Sequence, residues 1–337
     1  MNLLVTGGTG FFGRALIRNW ESARQLVGRL PYEEITILSR SPEKIRATFP
    51  QIANLPWIKW HTGDVLHPDS LPQYGKYDHI LHAAADSTDV AALTPLEKFH
   101  QIVVGTENIL RFAVSQGTSR FLLTSSGAVY GPPPLNMVAI PESYNGMPDP
   151  MATGNAYGVA KRQAEHLCTL YGQQFGLETV VARCFAFVGE DLPLNAHFAI
   201  GNFIRDALYK PAIFVQGNGS PIRSYLDQRD LAIWLTRLLH DGTPGQAYNV
   251  GSDQAITIAE LASLVRSTLA PEKDVLIANA GVSASGRNIY VPNISKAREE
   301  FALQVQIPLA DAIRETARHA LQRPEECMPS FLTWMER

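Results

Sequence analysis

Along the first 185 residues, short runs rich in Val, Ile and Leu alternate with longer stretches whose apolar positions recur every three or four residues. The short runs have the length of buried strands and the longer stretches present the single apolar face of a helix. This alternation predicts βαβ units built on a parallel sheet. Strands are expected at 2–6, 34–38, 57–61, 79–83, 121–125 and 179–184, with helices at 12–27, 95–115 and 156–175. In the last of these helices Tyr157, Ala160, Lys161, Ala164, Leu167, Cys168 and Tyr171 fall on one continuous face. After Gly189 the texture changes: loops rich in Pro, Asn and Gly at 192–196 and 216–221 flank a helix at 199–208 and a strand at 212–215. A helix at 228–240 and a strand at 247–250 are expected to return to the first unit, and a terminal helix covers 309–322. The organisation predicted is residues 1–189, with 223–250 returning to them, and a smaller lobe formed mainly by 190–222 and 251–337.

Composition narrows the function. A chain of 337 residues with 45% hydrophobic and 18% charged residues has material for a large core, which excludes disorder and fibrous repeats. Lys and Arg total 29 against 32 Asp and Glu, a net charge of −3 with no basic tail, so no nucleic-acid partner is expected. Apolar runs are strand-sized, well short of the roughly 20 residues that span a bilayer, and no membrane association is expected. The first residues enter a strand with no basic leader, so a cytoplasmic location is expected. Cys168, Cys184 and Cys327 show neither a CxxC pair nor metal-ligand spacing, which argues for reduced thiols and no metal.

The strongest local signal is the strand Asn2-Leu3-Leu4-Val5 running into Thr6-Gly7-Gly8-Thr9-Gly10-Phe11-Phe12-Gly13 and then a helix. Gly7 permits a tight turn, Gly10 lets backbone approach a pyrophosphate, Gly13 lets the helix pack closely on its strand, and the helix N-terminus offers free N–H groups to an anion. In this strand–turn–helix context the loop predicts dinucleotide binding on a Rossmann doubly wound α/β fold. NAD binders usually carry a carboxylate at the end of the second strand; here Ile37-Leu38 runs into Ser39-Arg40-Ser41. Arg40 can pair with a 2′-phosphate and Ser39 can add a hydrogen bond, which favours NADP(H) while leaving NAD(H) possible. Gly63-Asp64-Val65 after the third strand is a candidate adenine contact.

Tyr157 and Lys161 stand four residues apart on one helical face, where an ammonium is expected to lower the phenol's pKa toward working pH. Upstream, the strand ending Thr124-Ser125 delivers the Ser126 hydroxyl at its C-terminal end, where open α/β sheets present their chemistry. With TGGTGFFG, HAAA at 82–85, VVGTENIL at 103–110, TSSGAVYG, YxxxK, IRSYL at 222–226 and YNVGS at 248–252, the chain resembles the extended short-chain dehydrogenase/reductase family. The resemblance is to its nucleotide-sugar epimerases, dehydratases and reductases, and covers nearly the whole chain. It implies that Tyr157 is the general acid or base at a sugar oxygen, Ser126 binds the same oxygen, and Lys161 holds the nicotinamide ribose. It further implies cofactor contacts from Gly7, Gly10, Phe11, Phe12, Gly13, Ser39, Arg40, Asp64, Val65, Ala83, Ala84 and Thr124. A nucleoside-diphosphate sugar would lie between sheet and smaller lobe, met by Asn195, Asn202, Gln216, Arg223 and Arg287, with Arg223 the strongest phosphate candidate and Arg205 and His197 weaker ones. A homodimer through the YxxxK helix is implied in the same way.

The departures from the family pattern also inform. Family 4,6-dehydratases carry Asp and Glu after the catalytic hydroxyl, where this chain has Gly127 and Ala128, neither able to move a proton. Ile102 and Ala186 stand where relatives carry Asn. The sequence therefore favours reduction of the C4 ketone of a nucleoside-diphosphate 4-keto-6-deoxyhexose, with a 4-epimerase retaining NAD as the alternative. A dehydratase or a binding protein without catalysis fits less well. Cys184 is expected to be a buried, inert thiol.

Overall fold

The computed structural model describes residues 1–85, 93–279 and 288–324. The chain builds β1 (Asn2–Thr6), α1 (Phe11–Val27), β2 (Glu34–Ser39), α2 (Pro42–Thr48), α3 (Pro50–Ala53), β3 (Ile58–Thr62), β4 (His79–His82), α4 (Pro95–Gln116), β5 (Arg120–Ser126), α5 (Ala156–Phe175) and β6 (Glu178–Cys184). It continues through β7 (Phe187–Val188), α6 (Ala199–Tyr209), β8 (Ala212–Val215), β9 (Ile222–Arg223), β10 (Leu226–Asp227), α7 (Gln228–Asp241) and β11 (Ala247–Val250). The last described elements are β12 (Ile256–Thr257), α8 (Ile258–Leu269), β13 (Asp274–Ile277), β14 (Ile289–Tyr290), α9 (Ser295–Phe301) and α10 (Leu309–Gln322).

Among the described residues one large sheet forms, seven parallel strands in the order β11-β6-β5-β4-β1-β2-β3. The order reverses between β1 and β4, so the crevice at their carboxyl ends is the topological switch point where such sheets bind ligands. The strands at this point are buried on both faces because helices cover both. On one face Leu16, Ile17 and Trp20 of α1 pack with Trp234 and Leu235 of α7; on the other, Ile109 and Ala113 of α4 meet Ala160 and Ala164 of α5. Complete burial of each large side chain contributes about 1.5–3 kcal/mol. The ends of α4 are specified locally: Thr94 and Glu97 form a reciprocal capping box, Pro95 opens the helix and left-handed Gly117 closes it.

A separate apolar cluster joins Ile200 and Phe203 of α6, Ile213 of β8, Leu261 and Val265 of α8, and Ile313 and Ala317 of α10. Here the structure departs from the sequence expectation. Arg223 does not return to the large sheet; β9 pairs with β12 and β14, β10 pairs with β7 in a separate two-stranded sheet, and the chain rejoins the large sheet at β11. The ladder partners of β9 come from 256–257 and 289–290, segments too short to read as strands from their own pattern. The helices α2, α3, α8 and α9 were also not anticipated. No helix of the described residues is long and apolar enough to cross a membrane, and the described residues hold no cluster of three metal-ligating side chains.

Candidate active site

β5 and α5 bring the reacting groups together beside the switch point. Ser126 ends β5, and its Oγ accepts a hydrogen bond from the Ala128 amide at 3.2 Å, which holds the hydroxyl over the following turn. Tyr157 opens α5, with its phenol near enough for the Ser126 hydroxyl to favour its ionised form. One turn later the buried Lys161 Nζ donates to the Thr124 carbonyl at 2.7 Å. Burial pushes the Tyr157 phenol up to about 12, with the Ser126 hydrogen bond opposing, and the Cys184 thiol raises it further. Burial also lowers Lys161 to about 8, against the raising influence of Cys184, Glu165 and Cys168.

The expectation that Lys161 depresses the Tyr157 pKa is not met in the free protein. The ammonium is committed to the Thr124 carbonyl and lies 6.0 Å from the Tyr157 ring centroid, and desolvation of the phenol dominates. Tyr157 therefore stands protonated at neutral pH, ready to act as a proton donor. Cys184 is buried, and burial raises its thiol to about 12, which leaves it unreactive. Cys168 is likewise buried and raised by burial; Cys327 lies outside the described residues.

The dinucleotide cradle follows from backbone sterics. Gly7 has φ +74°, and a Cβ there would lie 2.5 Å from the Ala83 carbonyl carbon and 2.8 Å from the Ala84 nitrogen. The turn is pinned from β4 by the Ala83 and Ala84 amides, which donate to the Thr6 carbonyl and hydroxyl at 3.1 Å each. At Gly13 an added Cβ would meet the Gly8 Cα at 2.2 Å, so α1 rests directly on the loop. Gly10 caps α1 with little near it, leaving the first N–H groups of the helix, at Phe11 and Phe12, open to an anion. Arg40 is exposed just past β2, and buried Ser39 turns its Oγ to the Ser41 amide at 3.2 Å. Asp64 binds the Leu66 amide at 2.9 Å and buried Val65 receives Asn108 at 2.9 Å through its carbonyl, so this turn is held by its own bonds. These residues fit a dinucleotide: a cradle with no room for a side chain, a free helix end and a cation beyond β2.

The residues expected to meet a sugar nucleotide are less uniform. Arg223 donates to the Ile222 carbonyl at 2.8 Å and to Asn288 at 3.1 and 3.2 Å, and its guanidinium carbon lies 5.9 Å from the Tyr290 ring. Asn195 and Gln216 are exposed. Asn202 accepts from Arg205 at 3.0 Å, and Arg205 also pairs with Asp206 at 2.8 Å. Arg205 thus has a structural partnership that explains it, and Asn202 is engaged by that partnership. His197 is exposed and lies tilted against the Phe198 ring, 4.2 Å between centroids. Arg287 lies outside the described residues.

Three features escaped the sequence reading. Tyr290 places its hydroxyl 3.3 Å from Ser126 Oγ. Behind β5, Glu165 accepts from Ser125 at 2.5 Å and pairs with Arg183 at 2.7 Å, while Arg183 donates to Tyr130, which donates to Asn249 at 2.8 Å. Buried Asp191 binds Arg14 at 2.8 Å and Arg18 at 3.0 Å, and Arg14 reaches the Thr9 carbonyl at 2.7 Å, tying the glycine loop to the segment after β7. Burial opposes ionisation of Asp191, yet the two guanidiniums outweigh it and hold the carboxyl below its usual range. An i,i+4 Arg pair on α1 is the one trace of this in the sequence.

Comparison with known proteins agrees with the geometry. The model of the NAD dependent epimerase/dehydratase family matches residues 3–251. UDP-glucuronic acid decarboxylase 6 of Arabidopsis thaliana is 28% identical over 316 residues, 93% of this chain and 87% of that protein. The structure of DesIV, a dTDP-glucose 4,6-dehydratase of Streptomyces venezuelae with NAD bound, matches with a TM-score of 0.82 at 23% identity, covering 98% of this chain and 99% of that one. The structure of RMD from Pseudomonas aeruginosa, complexed with NADPH, matches with a TM-score of 0.75 at 26% identity, covering 96% and 99%.

Proposed function

This chain belongs to the NAD dependent epimerase/dehydratase family, and from that premise we propose that it reduces the C4 ketone of a nucleoside-diphosphate 4-keto-6-deoxyhexose. The observation that carries the reading is the chemistry around Tyr157. Among the described residues, burial, the Ser126 hydroxyl and the Cys184 thiol govern its ionisation, and Gly127 and Ala128 supply no carboxylate. A protonated phenol beside a hydroxyl suffices to protonate a ketone oxygen; expelling water from neighbouring carbons needs a further acid and base. A bound nicotinamide cofactor supplies the hydride. Ser126 orients the ketone oxygen, Tyr157 delivers its proton to that oxygen, and Lys161, charged at neutral pH, stabilises the phenolate left behind. The glycine loop holds the pyrophosphate, and Arg40 favours NADP(H) through its 2′-phosphate. Arg223 is proposed to meet the substrate diphosphate, with Asn195 and Gln216 along the same lobe. A homodimer through α5, whose Leu170 and Phe175 are exposed, completes the proposal.

The test is to mix the protein with NADPH and a panel of CDP-, dTDP-, UDP- and GDP-4-keto-6-deoxyhexoses, with UDP-glucuronic acid included, and to follow absorbance and sugar nucleotides together. Stoichiometric NADPH loss with one ketone is expected. A changed sugar without net NADPH loss would replace the reading with 4-epimerisation, and carbon dioxide release would replace it with decarboxylation.

A further inference from the structure

Tyr290, carried by β14 far along the chain, touches the reacting cluster without belonging to any motif that marks it. Its hydroxyl lies 3.3 Å from Ser126 Oγ and donates to the Cys184 carbonyl at 3.5 Å, and its ring packs on Phe185 at 4.7 Å between centroids. A Cβ at position 127 would fall 2.9 Å from the Tyr290 oxygen and 2.8 Å from the Phe185 ring. The corner beside Ser126 is thus filled by a phenol, and glycine at 127 is what makes room for it. A backbone carbonyl can only accept, so Tyr290 donates to Cys184 O, and its oxygen is left to accept from the Ser126 hydroxyl. Both Tyr290 contacts are long, so the Ser126–Tyr290 bond can reverse by rotation of hydroxyl hydrogens alone.

We propose that Tyr290 is a positioning residue acting through Ser126: when Tyr157 gives its proton to the substrate oxygen, Ser126 turns its single hydrogen from that oxygen to the phenolate and Tyr290 turns its own to Ser126. The balance is simple. One proton leaves Tyr157 for the substrate oxygen, Ser126 and Tyr290 keep theirs, and the hydride comes from the bound cofactor. Burial keeps Tyr290 itself protonated throughout. The inference rests on the proposed reduction for its kinetic consequence but not for its effect on Tyr157.

The experiment therefore has two arms. In the first, protein labelled with carbon-13 at tyrosine Cζ and saturated with NADP⁺ is titrated through the alkaline range, the Tyr157 resonance being assigned with Tyr157→Phe. Tyr290→Phe, which keeps the ring on Phe185, is expected to move the Tyr157 titration upward; an unchanged titration overturns the proposal. In the second, with the ketone substrate, Tyr290→Phe is expected to lower kcat by about threefold to tenfold, the worth of one hydrogen bond, with KM held within about twofold. Added to Ser126→Ala it is expected to cost nothing further. An unchanged kcat, a rise in KM with kcat kept, or additive losses each overturn it. Absence of turnover by the unaltered protein on the whole panel would refute the proposed function, and the first arm would still decide the role of Tyr290.

Discussion

The two ends of the crevice are built on different principles. At the cofactor end, the residues that matter are contiguous, and their constraint is steric: Gly7 at φ +74° against Ala83, and Gly13 against Gly8, leave no freedom for another residue. At the reacting end, Ser126, Tyr157, Cys184, Arg223 and Tyr290 come from β5, α5, β6, β9 and β14, and their constraint is contact between segments far apart in sequence, as where Tyr290 meets Ser126 and the Cys184 carbonyl. The first kind of site is robust and general, suited to a ligand shared by many proteins. The second can be retuned by changing one remote segment, suited to a substrate that varies.

This contrast also explains what was legible beforehand. The β1–α1 loop, the parallel sheet and the Tyr157–Lys161 face follow from local pattern, while the grouping with Ser126 comes from the family resemblance; the sheet forms as that pattern predicts. Tyr290 could not be found, because two residues of β14 carry no period and the phenol gains meaning only from Ser126, 164 positions earlier in the chain. The small sheet of β9, β12 and β14 was missed for the same reason. In contrast, α2 and α8 left signals that went unused: Ser41-Pro42-Glu43 is a helix start, and Thr257 with Glu260 forms a capping box. The expected depression of the Tyr157 pKa failed because spacing shows that an ammonium is near but not which carbonyl it is bonded to, nor how dry the phenol is.

Substitutions that act on one end alone sharpen the contrast. The largest effect is expected at the reacting end: Tyr157→Phe removes the proton donor and should lower kcat roughly a hundredfold to ten-thousandfold. NADPH affinity by fluorescence titration should be preserved; a parallel loss of affinity would mean the two ends are not separable. Next, Asp191→Ala strips the partner from Arg14 and Arg18, and calorimetry or denaturant melts should show about 3–5 kcal/mol lost, as for other broken buried pairs. Because Arg14 also holds Thr9, cofactor affinity should fall with it, while a neutral effect would show the glycine loop to be self-sufficient.

A smaller effect is expected from Arg40→Ala, which should weaken NADPH about tenfold or more with little change for NADH or for stability. Equal loss of both cofactors would contradict the 2′-phosphate role. Smallest is a pH effect away from the crevice. Tyr32 hydrogen-bonds both His79, at 3.1 Å, and His240, at 2.9 Å. Burial, with His240 and Arg120 nearby, lowers His79 to about 4, and burial lowers His240 too. A histidine depressed in the folded state contributes stability that is full above about pH 6.5 and lost as pH falls toward about 4. Tm should drop by a few degrees over that window with cofactor affinity at neutral pH untouched, and His79→Gln should flatten the decline. A Tm independent of pH there would remove these imidazoles from the account.

The central claim is that a protonated Tyr157 beside Ser126, with no carboxylate at 127 or 128, serves net reduction of a ketone. The most direct measurement uses NADPH deuterated at both C4 positions of its nicotinamide, with mass spectrometry and NMR of the sugar nucleotide formed. The account predicts one deuterium on the former ketone carbon for each NADPH oxidised. A modified sugar nucleotide that carries no deuterium, with the NADPH unspent, would contradict it.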